Sequence, residues 1–194
     1  MERMIAQLVR KVCVLGDAGV GKTSLVRRYL SGTFDPEQRP TLGTLVSGKT
    51  VLISSPDCAL DIRLKLCVWD ITGHRRFLRA HRLFLRGSHG AMVVADATRP
   101  QTLYGTIDWL EDLREEAGNV PVILVLNKMD ILEKKRLDIE FLRDICSGFG
   151  CELRLASART GQNVHNSFER LLRKLAGSVL EGASVSGSRW TICA

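Results

Sequence analysis

The chain has 194 residues, of which 45% are hydrophobic and 25% are charged, a composition typical of one globular domain with a sizeable core. Its net charge of +7 is expected mostly on solvated surface, with an acidic partner or an anionic membrane as alternatives. No apolar run reaches the ~18 residues that a membrane span needs, and the first residues lack a signal-peptide pattern. Six cysteines without a C-x-x-C pair indicate reduced thiols in a cytoplasmic protein rather than disulfides or a zinc site.

The first predicted elements are a strand over residues 7–15, a glycine-rich loop and a helix over residues 22–30. The loop, residues 16–23, has the pattern G-x-x-x-x-G-K-T, in which backbone N–H groups hold a phosphate chain. Its glycines let the backbone approach a ligand, and the free N–H groups at the helix start favour an anion. Lys22 adds a charge for the β- and γ-phosphates, and Thr23 adds a hydroxyl for Mg²⁺. The alternative is a glycine-rich turn that binds nothing.

The middle of the chain is predicted to contain an exposed loop, a hairpin and a basic segment. Residues 33–44 have two prolines and no periodicity, which indicates a loop. Strands over residues 46–53 and 62–69 follow, joined by a long hairpin tip at residues 54–61. The segment over residues 74–86 has five arginines and no acidic residue.

The second half alternates strands with helices. The predicted strands are residues 91–95, 120–126 and 151–156, and the predicted helices are residues 102–116, 138–149 and 164–175. This alternation indicates right-handed βαβ crossovers. We predict an α/β P-loop fold, a mostly parallel six-stranded sheet with one antiparallel hairpin strand and helices on both faces. The domain is expected over residues 1–176, followed by a flexible tail over residues 177–194.

Four segments that carry chemistry each follow directly after a predicted strand. They are residues 16–23, 70–73, 127–130 and 157–159. In a parallel sheet, the loops at the carboxyl ends of the strands meet at one rim, where ligands bind. The sequence therefore predicts one composite ligand site.

Two of these segments indicate what the ligand is. Asp70 ends a strand, and one carboxylate near the phosphates is sufficient to hold Mg²⁺ through water, while the N–H of Gly73 is unobstructed toward a γ-phosphate. In Asn127-Lys128-Met-Asp130 the carboxylate of Asp130 matches the N1–H and N2–H₂ donors of guanine, which adenine lacks, so ATP would be rejected. Asn127 would brace the loop, and the stem of Lys128 would lie along the base. The alternatives are an ordinary strand-end aspartate and a surface turn.

These motifs resemble the small GTPases of the Ras superfamily, nearest to the Rab branch, over about residues 8–176. The resemblance rests on the P-loop motif and on Thr41-Leu-Gly, Trp69-Asp-Ile-Thr-Gly, Arg86-Gly-Ser-His-Gly, Asn127-Lys-Met-Asp and Ser157-Ala-Arg. It implies a GTP/GDP-binding switch with Mg²⁺-dependent hydrolysis, acting in signalling or vesicle trafficking. Two switch segments would order around GTP and bind effectors and regulators of the GAP and GEF kinds.

The resemblance also implies roles for individual residues. Phe34 would pack edge-on to guanine, and the N–H of Ala158 would reach its O6. Thr41 would ligate Mg²⁺ and sense the γ-phosphate, together with the metal ligands Thr23 and Asp70. The nucleotide-binding set is Asp17, Ala18, Gly19, Val20, Gly21, Lys22, Thr23, Ser24, Phe34, Gly73, Asn127, Lys128, Asp130, Ser157, Ala158 and Arg159.

Hydrolysis is expected to depend on Lys22, Thr41, Gly73, His74 and Arg39. His74 replaces the glutamine that usually orients the attacking water, so slow intrinsic hydrolysis is expected. Arg39 is a candidate for a stabilising arginine in cis, with a solvated loop arginine as the alternative. The second hypothesis is a GTP-binding scaffold in which His74 and Thr72 have abolished turnover. A P-loop ATPase or kinase conflicts with the Asn127-Lys-Met-Asp motif.

The predicted partner surface is the basic segment over residues 74–86, which suits an acidic effector or regulator, with a solvated helix face as the alternative. Nucleic acid is disfavoured because the aromatics do not alternate with the basic residues. The chain ends in Cys193-Ala194, which is neither C-a-a-X nor a double cysteine. Any recruitment to membranes is therefore expected to occur through a partner or through the neighbourhood of Trp190. The protein is expected to be a cytoplasmic monomer.

Overall fold

The structure is a computed structural model, which describes residues 3–54, 60–74, 78–131, 139–181 and 191–193. The strands are β1 (Met4–Leu15), β2 (Thr44–Ser54), β3 (Leu60–Ile71), β4 (Gly90–Asp96), β5 (Val122–Asn127), β6 (Glu152–Leu155) and β7 (Thr191–Cys193). The helices are α1 (Lys22–Ser31), α2 (Leu78–Leu85), α3 (Gln101–Ala117), α4 (Ile139–Phe149) and α5 (Val164–Glu181), with a 3₁₀ turn at Met129–Ile131. Among the helices of these residues, none combines the length and apolarity needed to cross a bilayer.

One sheet with the strand order β6-β5-β4-β1-β3-β2-β7 contains all the described strands. The pairs β1–β3, β1–β4, β4–β5 and β5–β6 are parallel, whereas β2 is antiparallel to both β3 and β7. The predicted fold class, a mostly parallel α/β sheet with an antiparallel hairpin strand, is therefore confirmed. The predicted number of six strands is wrong for the described residues, because Thr191–Cys193 adds a seventh strand at the edge of β2.

Helices cover both faces of the sheet, and side-chain alternation along β1 explains why. Val12 and Val14 face a core that contains Phe168 of α5. Cys13 and Leu15 face a second core that contains Trp109 of α3. All four β1 side chains are fully buried, as expected for a central strand of a doubly covered sheet.

Several element bounds differ from the predictions. β1 begins at Met4 rather than at residue 7 because its first residues pair with the start of β3. α5 continues to Glu181, past the predicted end at residue 175. Residues 55–59 of the predicted hairpin tip and residues 182–190 of the predicted tail lie outside the described residues. The division at residue 176 stays a prediction.

Candidate functional site

The phosphate loop, residues 16–23, joins β1 to α1 at the rim of the sheet. Lys22 opens α1, is only 6% exposed, and donates from Nζ to the carbonyl oxygens of Gly16 (2.8 Å) and Asp17 (2.9 Å). Burial lowers the pKa of Lys22 to about 8, against an opposing charge effect of Asp70. The two hydrogen bonds hold the Lys22 amine against the carbonyls of its own loop, and a bound phosphate would compete with these carbonyls for the amine.

Two glycines of the site have no room for a side chain. Gly21 has φ 93°, and a Cβ there would lie 2.3 Å from the amide nitrogen of Asn127. A Cβ on Gly73 would lie 2.3 Å from the carbonyl carbon of Asp17. The backbone of the segment after β3 therefore packs directly on the backbone of the phosphate loop, whereas the loop after β5 contacts the phosphate loop through the side-chain amide of Asn127.

A cavity of about 660 Å³ opens where these loops meet, within the usual volume range for cofactor sites. The predicted site residues that line it are Ala18, Gly19, Gly21, Lys22, Thr23, Ser24, Phe34, Arg39, Thr41, Gly73, His74, Asn127, Lys128, Asp130, Ala158 and Arg159. Asp17, Val20, Asp70 and Ser157 are predicted site residues that lie behind this lining. Lining residues that the predicted site did not include are Asp35, Pro36, Gln38, Pro40, Thr72 and Ile131.

Three oxygen-bearing side chains meet at one side of the cavity. The hydroxyls of Thr23 and Thr41 are 2.7 Å apart, and the Thr23 hydroxyl donates to Oδ2 of Asp70. Asp70 is 2% exposed, and its Oδ1 has no hydrogen-bond partner among the described residues. Burial raises the pKa of Asp70, opposed by the Thr23 hydrogen bond and the Lys22 charge. A buried carboxylate oxygen without a partner, beside two hydroxyls, fits a hard divalent cation such as Mg²⁺.

The loop after β5, residues 127–130, is fastened to both of its neighbours by Asn127. Its amide donates to the carbonyl of Val20 (2.9 Å) and accepts from the N–H of Ala158 (3.0 Å). The Ala158 N–H predicted to reach guanine O6 is therefore bonded to Asn127 in this structure. Asp130 accepts a 2.6 Å hydrogen bond from the hydroxyl of Ser157, which orients its carboxylate at the cavity.

The resemblance places Arg39 and Thr41 in the first of the two switch segments, switch I. Phe34, Arg39 and Thr41 all line the cavity. Phe34 is half-buried, with the guanidinium of Arg28 5.9 Å from its ring. Arg28 also donates to the carbonyl of Ala158 (2.9 Å), so α1 connects the start of switch I to the loop after β6. Arg39 and His74 are exposed at the cavity.

Part of the predicted basic segment is neutralised within the fold. Arg82 pairs with Asp112 (2.6 Å) and Glu115 (2.9 Å), and Arg86 pairs with Glu116 (2.9 Å). These acids belong to α3, so α2 is held against α3 by ion pairs. Residues 75–77 lie outside the described residues.

Sequence reasoning missed four residues that hold the site from behind: Arg28, Asp96, Arg99 and Trp109. Asp96 ends β4 at the same rim as the predicted segments, so its position after a strand was a usable signal. Arg99 and Trp109 belong to no motif, because their partners lie 81 and 92 residues away in the chain.

The sheet order, the phosphate loop and the rim cavity define a P-loop protein with the small G-domain fold. A sequence model of the Ras family matches residues 11–177. Human Ras-related protein Rab-22A is 30% identical over 166 residues, which cover 85% of this chain and 82% of Rab-22A. Human Ras-related protein Rab-31 is 30% identical over 173 residues, covering 89% and 86% of the two chains. The GTP-binding protein YPT53 of Saccharomyces cerevisiae is 30% identical over 178 residues, covering 88% and 78%.

The chain therefore belongs to the Ras family, as a Rab-like small GTPase. The resemblance seen in the motifs is confirmed, and with it the assignment of the protein to the guanine-nucleotide-binding GTPases.

Proposed function

We propose that this chain is a Mg²⁺-dependent GTP/GDP switch that hydrolyses GTP slowly when alone. It presents switch I, around Thr41, and switch II, the basic segment over residues 74–86, to effectors and regulators. The observation that carries the proposal is that the phosphate loop with Lys22 and the carboxylate of Asp130 line one and the same cavity at the rim. A nucleotide needs both features at once, since its phosphates and its base are recognised by different chemistry.

The base is proposed to be selected by Asp130. Its carboxylate is held by Ser157, and Asn127 fixes the loop to the phosphate loop. Guanine offers two donors to such a carboxylate, whereas adenine would leave it unpaired.

Replacing Asp130 by alanine tests this selection. We expect Asp130→Ala to weaken GDP binding by about tenfold to hundredfold, as loss of a bidentate base contact does, and to narrow the preference for GDP over ADP. Both affinities are measured by competition against a fluorescent guanine nucleotide on the full chain. The matched control is Asp144→Ala, which removes an exposed carboxylate of α4. An unchanged GDP preference in Asp130→Ala would remove the base assignment.

A metal ion is proposed at Asp70, Thr23 and Thr41, where the buried carboxylate oxygen lacks a partner. Bound Mg²⁺ would supply charge neutralisation for the β- and γ-phosphates. Lys22 would bind the same phosphates, leaving the two carbonyls that now hold it.

Hydrolysis is proposed to be an in-line attack of water on the γ-phosphorus. The new bond joins the water oxygen to phosphorus, the bond to the bridging oxygen of GDP breaks, and the water protons pass to phosphate and solvent. Positioning and charge stabilisation supply most of the rate. His74 and Arg39 both line the cavity from exposed positions. The imidazole of His74 lacks the paired donor and acceptor with which a glutamine amide orients the attacking water. The intrinsic rate of GTP hydrolysis is therefore low.

A GTP-binding scaffold without turnover is the second candidate. It is favoured by Thr72, whose hydroxyl is buried at the cavity with no hydrogen-bond partner among the described residues. Phosphate release from GTP-loaded protein separates the two candidates, because a scaffold releases none above background.

The partners are proposed to be effectors and regulators that bind the switch segments of a monomeric G domain. The relatives with Rab names support a role in vesicle trafficking, with cytoplasmic protein recruited to membranes through a partner. Acidic residues of α3 already pair with Arg82 and Arg86. Acidic residues on a partner are therefore expected to contribute less to its binding than the five arginines of the sequence suggested.

A further inference from the structure

Two successive residues of the phosphate loop are held from the side of α3. Arg99, two residues before α3, donates from Nη2 to the carbonyl of Ala18 at 2.9 Å. Trp109 donates from Nε1 to the carboxylate of Asp17 at 3.1 Å. A Cβ built on Gly19 would have only the Arg99 guanidinium within 4 Å among the described residues beyond its chain neighbours, at 3.6 Å. Arg99 is thus the group that packs on the Ala18–Gly19 peptide.

Arg99 is itself held by a buried carboxylate. Its Nε donates to Oδ2 of Asp96 at 2.9 Å, and Nζ of Lys128 lies 2.7 Å from the same oxygen. The other oxygen, Oδ1, accepts from the N–H (2.9 Å) and the hydroxyl (2.7 Å) of Thr98. Asp96 is fully buried, so all of these donors converge inside the protein.

The carboxylate of Asp96 keeps its charge despite this burial. Burial by itself raises the pKa of Asp96, but the hydrogen bonds from Lys128, Thr98 and Arg99 together hold it below its ordinary value. A buried carboxylate bonded to two cations is a strong and directional link. Asp96 therefore connects Arg99, which is hydrogen-bonded to the phosphate loop, with Lys128 of the loop predicted to hold the base.

We infer that Arg99 is a positioning residue that clamps the phosphate loop to the base loop through Asp96 and thereby slows the release of bound guanine nucleotide. The planar guanidinium spans two acceptors with a fixed spacing, which a single ammonium does not reproduce. For a diphosphate to leave, the Ala18–Gly19 peptide must withdraw from it, and this movement breaks the Arg99 hydrogen bond. The inference rests on the proposed nucleotide site.

The test measures how fast bound nucleotide leaves the full chain. Wild type, Arg99→Ala and Arg99→Lys are loaded with N-methylanthraniloyl-GDP and Mg²⁺ and chased with excess GDP. We expect Arg99→Ala to release it about tenfold faster, equivalent to about 1.4 kcal/mol, with Arg99→Lys in between. The ³¹P resonance of the β-phosphate of bound GDP is expected to shift in Arg99→Ala and to return part of the way in Arg99→Lys.

The matched control is Arg114→Ala. Arg114 belongs to α3, the helix that begins two residues after Arg99, but its guanidinium lies over the ring of Phe149, with 5.8 Å to the ring centroid. The inference is overturned if the release rate of Arg99→Ala is within twofold of the wild-type rate. It is also overturned if Arg114→Ala releases nucleotide as fast as Arg99→Ala does and the ³¹P resonance of Arg99→Ala is unshifted. If wild type itself retains no guanine nucleotide, the proposed function fails as well, and the two failures are thereby distinguished.

Discussion

Asn127 shows how much of the site depends on single side chains. It is 1% exposed, and its amide is bonded at one end to the phosphate loop and at the other to the loop after β6. A buried amide with both ends paired is stable in one orientation, because leaving either end unpaired is costly. The Asn127 side chain therefore fixes the loop after β5 to the phosphate loop and to the loop after β6, although the three loops are far apart in the chain.

His74 is the residue for which we expect the clearest effect on the rate of hydrolysis. We predict that His74→Gln raises single-turnover GTP hydrolysis about tenfold, equivalent to about 1.4 kcal/mol of barrier, because glutamine offers water a paired donor and acceptor. Phosphate release after one round of GTP loading measures the rate. His165→Gln, a substitution on α5 beside Tyr29, is the matched control. A rate that stays constant while GTP affinity is unchanged would show that His74 does not limit hydrolysis.

At the scale of elements, α3 and the residues just before it connect the basic α2 segment with the phosphate loop. The Arg99–Trp109 side of α3 holds the phosphate loop, while Asp112 and Glu116 farther along the helix pair with arginines of the α2 segment. Through Trp109, Asp112 and Glu116, α3 is thus bonded both to the phosphate loop and to the α2 segment.

The junction of β1 with β4 carries a pH-dependent contact. Nδ1 of His89 accepts the N–H of Lys11 at 3.1 Å, so the imidazole must be neutral. Partial burial, followed by the charges of Arg10 and Lys11, lowers the pKa of His89 below its ordinary value of 6.5. The stability from this contact is therefore present above about pH 6.5 and is lost as pH falls through the lowered pKa.

We predict that the His89→Gln variant loses less thermal stability than wild type when the pH is lowered from about 7 to about 5. The amide oxygen of glutamine accepts the same N–H without titrating. The expected difference is less than about 0.5 kcal/mol, because solvent screens a partly exposed imidazole. Thermal unfolding of both proteins across this range measures it, with His165→Gln as the control. Parallel pH profiles for wild type and His89→Gln would contradict the assignment.

At the scale of the molecule, the two cores lie on opposite faces of one sheet, and the cavity lies at the rim between them. Loops after β1, β3, β5 and β6 contribute to its walls or to their support. A ligand that contacts several of these loops stabilises the whole fold, since it binds the native state alone.

We predict that GDP with Mg²⁺ stabilises the full chain, whereas ADP at the same concentration does not. At one hundred times the dissociation constant the gain is about 2.7 kcal/mol, or roughly 5–10 °C in melting temperature for a protein of this size. Differential scanning fluorimetry measures both nucleotides on the same preparation. Equal shifts with GDP and ADP would contradict guanine selection.

The fold class and most of the cavity were accessible from sequence because their signals are local. The P-loop is eight contiguous residues, 16–23. Each of the four predicted site segments follows its own strand, so the rim could be inferred before the strands were paired. Asp130 and Lys22 carry their chemistry in residue type and immediate context. Sixteen of the predicted site residues line the cavity, among them Phe34, Thr41 and Ala158, which were identified through the family resemblance rather than from local chemistry.

The supports of the site were decided by tertiary structure alone. Arg99 meets Ala18 across 81 residues of chain, and Arg28 meets Ala158 across 130, distances over which no spacing rule operates. Thr191–Cys193 becomes a strand because β2 offers an edge with unpaired backbone groups, not because three residues have a preference of their own. Contacts of this kind depend on which elements the packed sheet brings together, and the local pattern of residues carries no record of that.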